Sequence, residues 1–319
     1  MNKPESNCFP QSVWLDTDIG DDTDDILALA LICASPELTL AGVSTVWGDT
    51  AGRARLARTL LATLPEPLTR TPVAAGGGRP LPGSHQHHLE MWPNGPAPRK
   101  DFVQRACARP AAALPPAPRQ HGVELLAAHL RAHPGQTVPI GIGAMTNLAT
   151  LLLRFPETHA AIPRLALMAG DFTRGEWEWN VRCDPLAAAV VLESGLPIDF
   201  LPWEIGMACT VSAAQVKRLH ASRTRPGRLI SRAVRLWQES RVKRTGKSDR
   251  PHLYDPMAVA MVSHPEWFVW RRGRVRLSLA PQTFARTYFM PDPRGPHRVV
   301  WKIKRLRSVE AVWTRILSL

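Results

Sequence analysis

Asp16-Thr17-Asp18-Ile19-Gly20-Asp21-Asp22-Thr23-Asp24-Asp25 places six carboxylates within ten residues, between two apolar segments. Val13-Trp14-Leu15 before it reads as the end of a buried strand. Ile26 to Cys33 after it (Ile-Leu-Ala-Leu-Ala-Leu-Ile-Cys) reads as a buried helix. The acidic run therefore lies on a strand-to-helix turn at the carboxyl end of a strand, where open α/β sheets hold their ligands.

Carboxylates this close repel one another unless a cation joins them or some take up protons. A hard divalent cation is the natural partner, because Ca²⁺ and Mg²⁺ take oxygen ligands and tolerate several carboxylates. A solvated acidic helix cap would account for one or two of the Asp residues, not six. An EF-hand loop starting at Asp16 would need Glu at its twelfth position, which here is Leu27. A Mg²⁺-dependent phosphatase of the haloacid dehalogenase type, with Asp16 or Asp18 as nucleophile, also opens with Asp-x-Asp after an apolar strand. It normally has Thr or Val where this chain has Gly20, and it leaves Asp24-Asp25 unexplained. It stays as the alternative.

Downstream, strand and helix patterns alternate. Strands are expected at Leu38 to Trp47, Pro72 to Ala75, Thr137 to Gly143, Leu165 to Met168 and Ile198 to Pro202. Helices are expected after Gly48-Asp49-Thr50, from Gly122 to His133, from Thr146 to Leu153 and from Asp184 to Ser194. Later helices fall near 213–221, 227–243 and 255–262, strands near 267–279 and 297–303, and a last helix from Ser308. This order predicts a Rossmann-like α/β fold, an open and mostly parallel sheet with helices on both faces, in a single domain over 1–319. Gly76-Gly77-Gly78 lacks the spacing of a phosphate-binding loop and reads as a flexible turn. Between Arg79 and Arg119 proline recurs and the pattern breaks. That stretch reads as a long loop or insertion, and its His85-Gln86-His87-His88 could bind a borderline metal or belong to a mobile cover over the site.

With 45% hydrophobic residues the chain can bury a large core, and no run of about 18 apolar residues suggests a membrane span. The first eleven residues are polar, with Pro4 and Pro10, and resemble neither a signal nor a transit peptide. Five scattered cysteines show neither metal spacing nor a disulfide framework, so a reduced, cytoplasmic setting is expected. The net charge of +13 is concentrated at 217–250, 271–276 and 298–307. Without a zinc-finger or aromatic RNA-binding signature it reads as a solvated basic surface rather than a nucleic-acid site.

The opening motif, Asp-Thr-Asp-Ile-Gly-x-Asp-x-Asp-Asp before an apolar helix, resembles that of the inosine–uridine-preferring nucleoside hydrolases. Three further motifs agree in order. Gly141-Ile142-Gly143-Ala144-Met145-Thr146-Asn147-Leu148-Ala149 is similar to the family's turn ending in Thr-Asn-Leu/Ile-Ala. Glu178-Trp179-Asn180 with Asp184-Pro185 is similar to its Glu-Phe/Trp-Asn and following Asp-Pro, and His252-Leu253-Tyr254-Asp255-Pro256-Met257-Ala258-Val259 to its late His-Asp-Pro-x-Ala-Val. The resemblance spans Asp16 to about Ala260.

It implies a Ca²⁺-dependent N-ribohydrolase that releases free base and ribose from a nucleoside, and a homo-oligomer, dimer or tetramer. The implied ligands are Asp18, Asp25, Asp255 and the backbone carbonyl of Ile142. The ion would hold the ribose 2′ and 3′ hydroxyls and a water, whose proton Asp18 would take. Asp24, Glu178 and Asn180 would bind ribose, and Asp49 stands where many members carry an Asn near the sugar. Three features depart from the pattern. Tyr254 replaces the His that helps protonate the leaving base, and either donates a proton or stacks on the base. Asp171 to Gly175 lacks the extra Asn of members with a longer loop. The family's Gly-rich, His-containing loop has no counterpart within 85–95. A nucleoside-binding protein on a degenerate scaffold is a further alternative.

Overall fold

The structure, a computed structural model, describes residues 10–84, 102–175, 177–304 and 307–319. Nine strands form one sheet in the order β3-β2-β1-β4-β5-β6-β9-β7-β8. They are β1 (Gln11–Thr17), β2 (Leu38–Thr45), β3 (Val73–Ala75), β4 (Thr137–Gly141), β5 (Leu165–Met168), β6 (Ile198–Leu201), β7 (Phe268–Leu277), β8 (Thr287–Pro291) and β9 (His297–Ile303). From β3 across to β9 every pairing is parallel, while β7 runs antiparallel to both β9 and β8. The mostly parallel, open sheet is the one expected; β8, at the far edge, is an addition.

The helices are α1 (Asp24–Cys33), α2 (Thr50–Leu61), α3 (Gly122–Ala132), α4 (Thr146–Arg154), α5 (Trp179–Cys183), α6 (Pro185–Leu192), α7 (Trp203–Met207), α8 (Ala213–His220), α9 (Arg225–Thr245), α10 (Tyr254–Ser263) and α11 (Arg307–Leu317). The short α5 and α7 had no separate signal, because a five-residue helix has no room for an apolar period. Strand β1 shows how the two faces are filled. Val13 and Leu15 enter the core under α1, α2, α9 and α10, while Trp14 between them enters the core under α3, α4 and α6. Helix α1 is buried along nearly its whole length, packed against β2 on one side and α10 on another, which is why its sequence is apolar all round.

Two segments differ from expectation. The glycines after β3 are not a flexible turn. A Cβ at Gly76 would lie 2.4 Å from the Asn147 amide, and Gly77 N donates to Asn147 Oδ1 at 2.8 Å. The backbone must pass this close so that Asn147 can tie the loop to β1 and β2. Residues 102–119 carry 3₁₀ turns at Val103–Cys107 and Ala111–Ala113, yet they do not lie apart from the core. Phe102 is buried against Gly20 and Gly52, and Gln104 N donates to Gly20 O at 2.9 Å. His85, His87 and His88 lie outside the described residues. The four described cysteines are free thiols, and no described helix is long and apolar enough to cross a membrane.

Candidate active site

Strand order reverses between β1 and β4: β2 and β3 lie to one side of β1, and β4, β5 and β6 to the other. Chains leaving the carboxyl ends of two such strands diverge, and the crevice between them is the usual ligand site of an open α/β sheet. Asp18 follows β1 and Ile142 follows β4, and Ile142 N donates to Asp16 O at 2.9 Å to hold the two ends together. Gly143 is required here, since a Cβ would fall 2.8 Å from Asp18 Oδ1.

The acidic turn is folded around one cation. Arg53, on α2, is completely buried. Its Nε donates to Trp47 O at 2.7 Å, its Nη1 to the carbonyls of Asp18 and Ile19, and its Nη2 pairs with Asp21 Oδ2 at 2.6 Å. The sequence signal for it was its place on the apolar stripe with Leu56 and Leu60, because a buried Arg needs an anionic partner. Asp16 points away from the crevice. Its Oδ1 accepts from Ser44 Oγ and from Asn147 Nδ2 at 2.7 Å, and burial pushes its carboxyl up to about 7. That placement removes Asp16 as a nucleophile.

Asp24 and Asp25 occupy the first turn of α1, and Asp255 the first turn of α10. The two helices pack together with these ends at the crevice, and helix N-termini favour negative charge. Carboxylate oxygens of Asp24, Asp25 and Asp255 lie within 4.8 Å of one another, all three side chains buried. Burial, and then the neighbouring aspartates, drive all three carboxyls well above the ordinary range. Asp25 also accepts from Thr17 Oγ1 at 2.5 Å, which fixes it against the end of β1. Asp18 lines the same pocket. Burial lifts its carboxyl to about 7, with Arg53 opposing and Asp21 adding to the rise.

The pocket, about 310 Å³, also takes its wall from Ile142, Glu178, Asn180, Tyr254 and a set of tryptophans. Asn180 Nδ2 donates to the carbonyls of Ile142 (3.1 Å) and Met168 (3.0 Å), so both its amide hydrogens are committed and Oδ1 is the atom left to face a ligand. Glu178 caps α5, accepting from the backbone amides of Gly170, Asn180 and Val181, while burial raises its carboxyl. Tyr254 packs its ring over Gly206 and donates its hydroxyl to Met207 Sδ at 2.5 Å. Burial and then Asp24 and Asp22 push its phenol above the usual value.

Of the residues expected at the site, Asp18, Asp24, Asp25, Ile142, Glu178, Asn180, Tyr254 and Asp255 share this one pocket. Asp49 is not in its wall. It caps α2 through Gly52 N at 2.9 Å and pairs with Arg105 at 2.7 Å. Asp24, expected as a ribose contact, is one of the three clustered acids, while Asp18, expected as a ligand, stands beside them. Trp203, Trp237 and Arg244 belong to the wall without having been anticipated. They sit on α7 and α9, which no acidic motif marks.

Over residues 13–311 the chain matches the inosine-uridine preferring nucleoside hydrolase family. A pyrimidine-specific ribonucleoside hydrolase from Enterobacter sp. is 32% identical over 269 residues, covering 80% of each chain. The fold is shared with a plant nucleoside hydrolase (TM-score 0.79, 20% identity, 97% of this chain and 100% of that one). It is shared as well with a purine-preferring ribonucleoside hydrolase from Gardnerella vaginalis (TM-score 0.78, 19% identity, 97% and 98%). With the match running from β1 into the last helix, the chain belongs to the inosine-uridine preferring nucleoside hydrolase family and is a hydrolase acting on N-glycosyl compounds.

Proposed function

We propose that the protein hydrolyses ribonucleosides to free base and ribose with Asp18 as general base and Ca²⁺ as its cofactor. The observation that carries this reading is the placement of Asp18 in the pocket wall beside the buried Asp24–Asp25–Asp255 cluster. The donor set fits a hard divalent cation: every group is an oxygen, buried, and too crowded to carry its full negative charge alone. Asp25, Asp255, Asp18 and the Ile142 carbonyl would hold it. When bound, the cation neutralises the cluster and acts as a Lewis acid toward oxygen.

The remaining chemistry belongs to the side chains. A water lone pair attacks C1′ as the C1′–N bond breaks, its electron pair leaves with the base, which takes a proton from solvent, and Asp18 accepts a water proton. Asp18 is the carboxylate of the pocket wall that stands beside the cluster, within reach of a water held there. Glu178 and Asp24 place negative charge beside a sugar that becomes cationic in the transition state. Asn180 Oδ1 and Glu178 accept from ribose hydroxyls, so a sugar lacking those hydroxyls forfeits both contacts. Tyr254 keeps its proton at neutral pH and forms, with Trp179, Trp203 and Trp237, the wall on which the base lies.

A panel of purine and pyrimidine ribonucleosides assayed for released reducing sugar, with Ca²⁺ and after chelation, tests the reading. Sugar release that chelation abolishes and Ca²⁺ restores is expected. Full activity in metal-free protein would overturn the cofactor, and nucleoside binding without turnover under all conditions would leave a binding protein.

A further inference from the structure

Away from the acidic pocket lies an open concavity of about 610 Å³ between α2, the 3₁₀ turn Val103–Cys107 and the first half of α9. Its wall carries Arg109, Arg225, Arg228 and Arg232, with Thr59 and Thr63 beneath them. Arg225, Arg228 and Arg232 are spaced three and four residues apart, so α9 presents them on one face. All four arginines are exposed, and among the described residues none has its guanidinium in an ion pair, a hydrogen bond or an aromatic contact; Arg109 is anchored through its backbone N, which donates to Thr59 Oγ1 at 3.0 Å. No carboxylate and no aromatic ring lines the concavity among the described residues.

Several other arginines of this chain are paired, among them Arg53 with Asp21, Arg131 with Glu157, Arg276 with Glu193 and Arg298 with Asp199. Four guanidinium groups lining one concavity, without a counter-charge among the described residues, repel one another, and that repulsion is relieved by an anion bearing several charges at once. Guanidinium forks match phosphate oxygens in geometry and bind them bidentately. The concavity has the volume of a small-molecule site. Lacking aromatic rings, it offers no surface on which the bases of a single-stranded nucleic acid could stack.

We infer that this concavity is a binding site for a small polyphosphate anion, held by Arg109, Arg225, Arg228 and Arg232. The site is separate from the one proposed for nucleoside hydrolysis and does not depend on that reading. Two of its three elements, the 3₁₀ turn and α9, also reach the acidic pocket through Val103 and Trp237.

Calorimetric titration of the full chain with inorganic tripolyphosphate, at physiological salt and without added divalent cation, tests it. Saturable binding of one anion per chain is expected. Arg228→Glu/Arg232→Glu should weaken it about 100-fold, since each lost charge-assisted contact is worth roughly tenfold or more. Lys302→Glu/Lys304→Glu on and just past β9 makes the same change in net charge and should leave affinity within about twofold. All the substituted side chains are exposed, and an unchanged thermal transition would show that the variants fold. Absence of saturable binding at millimolar tripolyphosphate, or equal weakening by both double variants, would overturn the site. A uridine dodecamer that binds more tightly than tripolyphosphate through the same arginines would overturn the small-anion assignment.

Discussion

At the scale of single residues, Asp18 and Tyr254 make opposite demands on their protons. In the proposed reaction Asp18 must be ionised to receive a proton from water. Asp18→Asn keeps the size of the side chain and removes the accepting charge, so turnover should fall by about 10²–10⁴ with the fold intact. A rate near wild type would take Asp18 out of the base role. Tyr254, pushed upward by burial and nearby aspartates, is proposed to hold its proton. Tyr254→Phe keeps the ring and should change kcat by less than about tenfold for ribonucleosides and for p-nitrophenyl riboside alike. A large loss confined to ribonucleosides, whose leaving group needs a proton, would assign the acid role to the hydroxyl instead. Arg53 acts on structure: Arg53→Met would leave Asp21 and the carbonyls of Asp18 and Ile19 without their donor. Because Asp21 stays partly exposed, the main loss is the guanidinium's hydrogen bonds to buried carbonyls, and stability should fall by about 1–3 kcal/mol, to be read from urea unfolding.

At the scale of elements, the site depends on how closely the ends of β1 and β4 approach. Gly143 leaves room for the Asp18 carboxylate, and a Cβ there would also meet Val46 at 2.7 Å. Gly143→Ala should therefore move the turn after β4 away from Asp18, displacing Ile142 O together with the Asn180 amide bonded to it. Misplacements of this order carry large kinetic penalties, so kcat/KM should fall at least about tenfold. A variant with unaltered kcat/KM would mean that the turn yields without disturbing the site. The convergence of α1 and α10 has the same character: each contributes first-turn acids, and neither makes a cluster without the other.

For the whole molecule, the crowded carboxylates link metal, protons and stability. A carboxyl raised above its unfolded value favours the folded state when protonated, and that contribution is lost as pH rises through the folded value, about 7 for Asp18. Ca²⁺ would replace those protons. The rise in Tm on adding Ca²⁺ should thus be larger at pH 7.5 than at pH 5.5. Comparing the two states at each pH cancels the histidines, including His297, whose ordinary value is lowered to about 4 by burial. A Ca²⁺ effect on Tm that is absent or independent of pH, measured by scanning calorimetry, would count against the cluster as the metal site.

Sequence periodicity was enough for most of the parallel sheet, because the strands from β1 to β6 are short, largely apolar runs bounded by turn residues, and β4, β5 and β6 are buried throughout. The motifs likewise marked the acids, Ile142, Glu178 and Asn180, since these side chains follow directly on strands or open helices. Edge strand β8 escaped, its side chains half exposed and its pattern weak. What the chain alone could not decide was which distant pieces close the pocket. Trp203, Trp237 and Arg244 reach it only because α7 and α9 fold back over the carboxyl edge of the sheet. Asp49 leaves it because Arg105 and the α2 amides claim its oxygens. Local pattern records what a residue needs from its neighbours in the chain; which charge it meets across the crevice is set by packing.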